Sequence, residues 1–119
     1  MLMSARLIII LSVLACLAAA SVHAERAETF EQAKRLSVQT GKPVLLEFNH
    51  DDCPHCQQAT RELDSIPQVR AKLDSVVLLR LSVLQGEGTT MAETFRIGAS
   101  FPVFIVTDSA ANVMVEFMM

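Results

Sequence analysis

The sequence is poor in three features that would each assign the chain to a familiar class of protein: cysteine, basic charge and long apolar segments. It has three cysteines in 119 residues, which excludes the disulfide-dense framework of many small secreted domains. Arg6 is the only formal charge in residues 1–24, so residues 25–119 carry nine basic and thirteen acidic side chains, a net charge of −4. This balance offers no basic surface to a nucleic acid. The length suits one small domain.

The apolar segments are short for a helix that would be retained in a membrane. The longest covers residues 7–20, which falls short of the about 20 residues that a spanning helix needs. It follows Arg6 and precedes the small-residue cleavage site Val22-His23-Ala24, which is the layout of a secretory signal. We therefore expect residues 1–24 to be a signal peptide and residues 25–119 to be an exported domain, in the periplasm or an equivalent compartment.

Cys16 leaves a membrane-attached alternative open. The segment Val13-Leu14-Ala15-Cys16 loosely resembles a bacterial lipoprotein processing box, although Leu14 fits it poorly and the residues that follow stay apolar. Contact with a membrane is expected only if Cys16 is lipidated or the signal is retained.

Hydrophobic periodicity predicts the element order α-β-α-β-α-β-β. The final strand pair is predicted to be a hairpin, and the earlier strands are predicted to be joined by helical crossovers, which is typical of an α/β fold with a mixed sheet. The predicted helices are residues 25–40, 54–64, a short 68–73, and 89 or 90–96; the predicted strands are 43–49, 75–84, 103–107 and 113–117.

Glu47 interrupts the continuous apolar run of the first predicted strand. A carboxylate inside such a strand is costly unless it is partnered, solvated through a channel, or kept protonated. The alternative is that Glu47 is simply exposed at a strand end.

Cys53-Pro54-His55-Cys56 follows that strand and begins the next predicted helix. The spacing places both thiols on one side of the first helical turn, close enough to bond to each other. Free N–H groups and the helix dipole favour a thiolate at Cys53, and His55 can add positive charge or a hydrogen-bond donor. A reactive thiolate with a second thiol ready to displace it is the machinery of disulfide exchange.

Three other uses of these cysteines have to be compared with disulfide exchange. Zinc would need further ligands, and beyond Cys53 and Cys56 only His50 and His55 are near in sequence. Haem attachment is excluded because Gln57, and not histidine, follows Cys56. A purely structural disulfide would close too small a loop to stabilise much. We expect no metal and no cofactor, and a metal-handling protein that uses Cys53, Cys56 and His50 or His55 stays open as an alternative.

The sequence resembles the thioredoxin superfamily across residues 30–117. The resemblance rests on the strand containing Glu47, on the CPHC tetrapeptide, and on Phe101-Pro102 at the start of a later strand. It implies a thioredoxin-like fold, a cis Pro102 beside the disulfide, and a substrate-binding role for Phe101 and Pro102.

The resemblance also implies the roles of the catalytic residues. Cys53 would form a mixed disulfide with a partner, Cys56 would resolve it, and Glu47 would transfer protons to and from Cys56. Pro54 and His55 would tune the reduction potential. The implied partners are protein thiols or disulfides and a second redox protein.

The direction of exchange is not decided by these features. The overall layout is similar to the C-terminal domain of DsbD-type reductases, whereas Pro54-His55 is similar to the oxidase DsbA. We favour reduction or general interchange because the layout covers more of the chain than two residues do. The alternative from another class is a redox-inactive binding module whose thiols are incidental.

Two departures from the family pattern qualify the resemblance. Asp52 stands where thioredoxins commonly have tryptophan, and the chain contains no tryptophan. The usual last helix is also missing after Met119, which we interpret as the mark of a fragment. The alternative is a sheet face left partly uncovered, which would invite a partner or a dimer.

Overall fold

The structure is a computed structural model that describes residues 25–118. One five-stranded sheet, in the order β1-β3-β2-β4-β5, is flanked by four helices. The elements are β1 Glu25–Arg26, α1 Phe30–Thr40, β2 Val44–Asn49, α2 Pro54–Ser65, α3 Pro67–Leu73, β3 Val77–Ser82, α4 Glu87–Thr94, β4 Val103–Thr107 and β5 Val113–Met118. The predictions of a signal peptide and of lipidation at Cys16 fall outside the described residues. Within residues 25–118, no helix has both the length and the apolarity to cross a membrane.

The sheet is mixed, as the element order predicted. β3 runs parallel to both β1 and β2, whereas β4 runs antiparallel to β2 and to β5. The helices α2 and α3 form the crossover from β2 to β3, and β4 and β5 form the predicted hairpin. The prediction of an α/β fold with a thioredoxin-like mixed sheet is therefore confirmed.

Alternation along β2 divides the core between the two faces of the sheet. Val44, Leu46 and Phe48 pack in a cluster that includes residues of α1 and α4. Leu45 packs on the other face, in a cluster that includes residues of α2 and α3. Because side chains alternate along a strand, Glu47 shares the second face with Leu45 and points toward α2.

The first predicted helix began too early in the chain. Residues 25–26 form β1, and the Ala27 N–H donates to the Leu78 carbonyl. The helix starts at Phe30 because Thr29 caps it, with Thr29 Oγ1 accepting from the Gln32 N–H at 3.1 Å. The Thr-x-x-Gln spacing is a capping-box pattern that marks this boundary in the sequence.

The helix predicted at residues 89 or 90–96 is displaced. It runs from Glu87 to Thr94, and Thr89 does not cap it but donates its hydroxyl to the Val83 carbonyl at 3.1 Å. A Cβ on Gly88 would lie 1.8 Å from the Ser82 carbonyl oxygen, so the first turn packs directly on the end of β3 because Gly88 has no side chain.

The outer strand β5 leaves its side chains exposed along its whole length. Its main packing contact is Phe117, whose ring stacks on Phe104 with centroids 5.1 Å apart.

Candidate active site

The loop from β2 to α2 is held by side-chain hydrogen bonds. The Ser82 hydroxyl donates to Asp51 Oδ1 at 2.6 Å, and the same hydroxyl oxygen accepts from the Leu84 N–H at 3.2 Å. One residue later, the Asp52 N–H donates to His50 Nδ1 at 3.3 Å. These bonds tie the loop to the end of β3 and fix the direction in which the chain enters α2.

Cys53 is the N-cap of α2. Its sulfur accepts a hydrogen bond from the Cys56 N–H at 3.1 Å, and Pro54 occupies the first turn, where its missing N–H is not needed. A sulfur in this position faces free N–H groups and the positive end of the helix dipole, which stabilises a thiolate when the pair is reduced.

The two cysteines are bonded to each other, with their Cα atoms 5.2 Å apart. Cys56 is buried, Cys53 is half-buried, and His55 between them is exposed. The more accessible sulfur is therefore the one at the helix cap, which is the arrangement expected of an attacking thiol with a protected resolving thiol behind it.

Phe101 and Pro102 reach this site from the start of β4. The Phe101–Pro102 peptide bond is cis, as the resemblance implied. The Phe101 carbonyl oxygen lies 3.9 Å from the Cys53 sulfur, and the Phe101 ring lies 5.7 Å, centroid to centroid, from the His50 ring. The fold thus brings together residues that are about fifty positions apart in the chain.

Glu47 is fully buried and paired, so the alternative of an exposed strand end is wrong. A buried carboxylate is tolerated when it has a partner, and Glu47 has one because Arg80 Nε donates to Glu47 Oε2. Thr60 of α2 adds a hydroxyl hydrogen bond to Oε1 at 3.2 Å. The hydrogen bonds of Glu47 therefore go to Arg80 and Thr60 and not to the cysteines.

Arg80 also binds Asp64 near the end of α2. Its two terminal nitrogens lie 3.1 and 2.9 Å from the Asp64 carboxylate, and Arg26 of β1 donates to the same carboxylate at 2.9 Å. The Arg80 hydrogen bond holds the pKa of Asp64 below its ordinary value, against the opposing effect of burial. Burial acts to lower the pKa of Arg80, but its bonds to Asp64 and Glu47 outweigh this effect and raise it.

Arg80 and Asp64 were missed by the sequence interpretation, although a signal for Arg80 exists. The strands Val44-Leu-Leu-Glu-Phe and Val77-Leu-Leu-Arg-Leu each carry one charge, at the fourth position. Glu47 and Arg80 are direct neighbours in the parallel register of β2 and β3. Two opposite charges at matching positions in buried strands indicate a pair, because neither is stable there alone.

Across residues 25–118, no group of three or more histidine, cysteine, aspartate or glutamate side chains converges in a way that could hold a metal ion.

Sequence comparison identifies a family. A model of the family described as thioredoxin-like matches residues 24–109 of the chain. No curated protein matches the chain at a significant level.

Three solved structures illustrate the likeness in fold. A thioredoxin from Thermus thermophilus is 25% identical, with a TM-score of 0.67, over 80% of this chain and 75% of its own. A disulphide isomerase from Xylella fastidiosa Temecula1 is 20% identical, with a TM-score of 0.62, over 72% and 68%. A protein named DsbH oxidoreductase is 16% identical, with a TM-score of 0.63, over 82% and 75%. The last two likenesses concern the fold alone.

Proposed function

The chain belongs to the thioredoxin-like family, and from that premise we propose that it is an exported thiol–disulfide oxidoreductase acting on protein substrates. The general activity follows from the fold together with the bonded pair Cys53 and Cys56. The observation that carries the proposal is the environment of the Cys53 sulfur, which caps α2, accepts the Cys56 N–H and is more exposed than its partner.

The proposed reaction transfers two electrons from the reduced pair to a partner disulfide. The Cys53 thiolate attacks one partner sulfur, and the other partner sulfur leaves as a thiolate. The Cys56 thiol then loses its proton and attacks the Cys53 sulfur, which releases the second partner thiolate and leaves the Cys53–Cys56 disulfide. Run backwards, the same steps oxidise a partner dithiol.

Glu47 is the proposed proton acceptor for Cys56. Its side chain lies on the face of β2 that packs against α2, the helix that carries Cys56, and its carboxylate is held by Thr60 of the same helix. A carboxylate in the interior is the basic group available to a buried thiol when water is excluded. His55, exposed on the first turn of α2, and Pro54 are proposed to tune the potential of the pair.

Export and partner choice extend the proposal beyond the fold. The signal-like layout of residues 1–24 supports an exported domain, and an oxidising compartment would keep a disulfide such as Cys53–Cys56 available for exchange. Membership of the thioredoxin-like family, with the likeness to a thioredoxin, supports protein thiols and disulfides as substrates, with a second redox protein supplying or removing electrons.

Substitution of each cysteine in turn tests the activity. The Cys53→Ser variant should lose insulin reduction, and the Cys56→Ser variant should accumulate mixed disulfides with partners because the resolving thiol is gone. The proposal is wrong if Cys53→Ser reduces insulin at the wild-type rate. Failure of Cys56→Ser to trap any partner would instead support the redox-inactive binding module.

The reduction potential of the pair tests the direction. We infer reduction or interchange, for which a reduction potential of about −270 mV is expected. A reduction potential of about −120 mV is that of an oxidase. Equilibration of the purified protein with defined glutathione ratios gives this value directly.

A further inference from the structure

Two grooves border the Phe101–Pro102 pair, one lined by Phe101 and the other by Pro102. The first, of about 440 Å³, is lined by Asp52, Cys53 and Phe101, together with His50, Pro54 and Ala99. The second, of about 190 Å³, is lined by His55, Gln58, Ala59, Glu62 and Pro102. Because Phe101 and Pro102 are consecutive, the two grooves adjoin, and a partner chain that presents its own sulfur to Cys53 has room to contact both.

Each groove contains one carboxylate, and neither is lined by lysine or arginine. Asp52 is exposed in the first groove, and its neighbour Asp51 adds a second negative charge at the same edge. Glu62 is half-buried in the second groove, where the Gln58 amide donates to its Oε1 at 2.9 Å and holds the carboxylate in place. Each of the two grooves is thus lined by one carboxylate and by no lysine or arginine.

Within the part of the chain that the structure describes, neither Asp52 nor Glu62 forms an ion pair. The ion pairs found within residues 25–118 involve Glu31, Glu47 and Asp64, and none involves Asp52 or Glu62. Exposed charges of one sign attract oppositely charged partners and repel like-charged ones during encounter. The net charge of −4 on residues 25–119 acts in the same direction.

We propose that the protein's partners present a cysteine flanked on both sides by lysine or arginine, and that Asp52 and Glu62 select them, one in each groove. The proposal rests on the proposed disulfide exchange at Cys53. It names the chemistry of the segment that binds: basic on both sides of the reactive sulfur, with both cations needed for the full preference.

Three disulfide-linked peptide dimers test it, identical except that the cysteine is flanked on both sides by lysine, glutamine or glutamate. The pre-reduced protein is mixed with each peptide at pH 8, where free imidazole is neutral, and acid-quenched samples give the second-order rate of oxidation. Each rate is divided by the rate at which dithiothreitol, an uncharged dithiol, reduces the same peptide, which removes the intrinsic reactivity of that disulfide.

At low ionic strength the lysine peptide should react about tenfold faster than the glutamate peptide, with the glutamine peptide between them. Salt at about 0.5 M should remove most of the difference, because exposed charges are screened over a few ångströms there. Asp52→Asn and Glu62→Gln should each lower the lysine-to-glutamate ratio by about two- to fivefold.

Asp74→Asn is the matched control, since it removes the same charge immediately before β3, at the end of the sheet opposite the disulfide. It should leave the ratio within about 1.5-fold of the wild-type value. Equal normalised rates for the three peptides, or a control that lowers the ratio as much as Asp52→Asn, would overturn the proposed selectivity while leaving disulfide exchange intact. Failure of all three peptides, the uncharged one included, would overturn the exchange function itself.

Discussion

Replacing Arg80 by methionine should destabilise the protein strongly, because the buried Glu47 carboxyl group would lose its ion-pair partner. Glu47 is 0% exposed, whereas the Arg80 side chain is 22% exposed and lies between Glu47 and Asp64. Methionine preserves much of the apolar stem but removes every donor. The Thr60 hydroxyl would then be the one remaining hydrogen-bond partner of the Glu47 carboxylate among the contacts of the described residues.

The magnitude follows from how much of this network is buried. Breaking a buried ion pair from one side costs about 3–5 kcal/mol, whereas losing an exposed pair costs about 0–1 kcal/mol. Since Arg80 is partly exposed, as is Asp64 at 39%, we expect about 3 kcal/mol, the low end of the buried range. This is a large share of the about 5–15 kcal/mol that stabilises a typical domain.

Urea unfolding followed by circular dichroism gives the free energy of unfolding. With a slope of about 1.5 kcal/mol per molar, Arg80→Met should lower the midpoint by about 2 M. The control is Arg26→Met. Arg26 pairs with Asp64 and not with Glu47, and its side chain is 55% exposed. This substitution should therefore lower the free energy of unfolding by less than about 1 kcal/mol.

A double variant distinguishes the buried charge from lost packing. Combining Glu47→Gln with Arg80→Met removes both charges, so it should recover at least about half of the loss. If Arg80→Met alone costs less than about 1 kcal/mol, or if the double variant is less stable than Arg80→Met, the ion pair is not what makes Glu47 tolerable in the core.

Two further substitutions test other parts of the fold. Gly88→Ala should lower the free energy of unfolding in urea by about 3 kcal/mol, because its Cβ would lie 1.8 Å from the Ser82 backbone oxygen. The control Gly98→Ala should be nearly neutral, since nothing lies within 4 Å of the added Cβ. The depressed pKa of Asp64 should contribute stability that is fully present above its ordinary value of 3.8 and is lost as the pH falls through the lower folded-state pKa. The stability difference between the wild type and Asp64→Asn should therefore be constant above about pH 5 and shrink toward pH 2; a difference that is unchanged at pH 2 would contradict this assignment.

Most of the sheet was predictable because its main strands have recognisable apolar sequences. β2, β3 and β4 are short apolar runs separated by turn residues or helical patterns, and buried strands need such runs whatever their neighbours are. The strand β1 was not predictable in the same way. It has only two residues, Glu25 and Arg26, neither of which is apolar, and it exists because the edge of β3 supplies partners for its backbone.

The residues of the candidate site also differ in how far the sequence could predict them. Cys53, Cys56 and Pro102 could be identified because their chemistry or their resemblance to a family pattern is local to a few residues. The partners of Glu47 could not, because Arg80 is 33 positions away and Asp64 reaches it through the packing of α2 on the sheet. Interactions that depend on tertiary packing leave weaker traces in a single sequence, and the matching positions of two charges in two strands were the trace available here.

Helix α2 connects the two halves of the site, and this determines how activity changes at Glu47 must be interpreted. Cys53 caps the helix, Thr60 contacts Glu47, and Asp64 contacts Arg80 near its end. A substitution at Glu47 therefore has two possible effects: it removes a proton acceptor, and it displaces the helix whose N-terminus stabilises the Cys53 sulfur.

Displacement would slow the first step, the attack by Cys53, because that step depends on the capped thiolate. Loss of proton transfer would slow only the second step, in which Cys56 must be deprotonated. Slower resolution with an unchanged rate of mixed-disulfide formation therefore assigns Glu47 to proton transfer, whereas slowing of both steps assigns it to the positioning of α2.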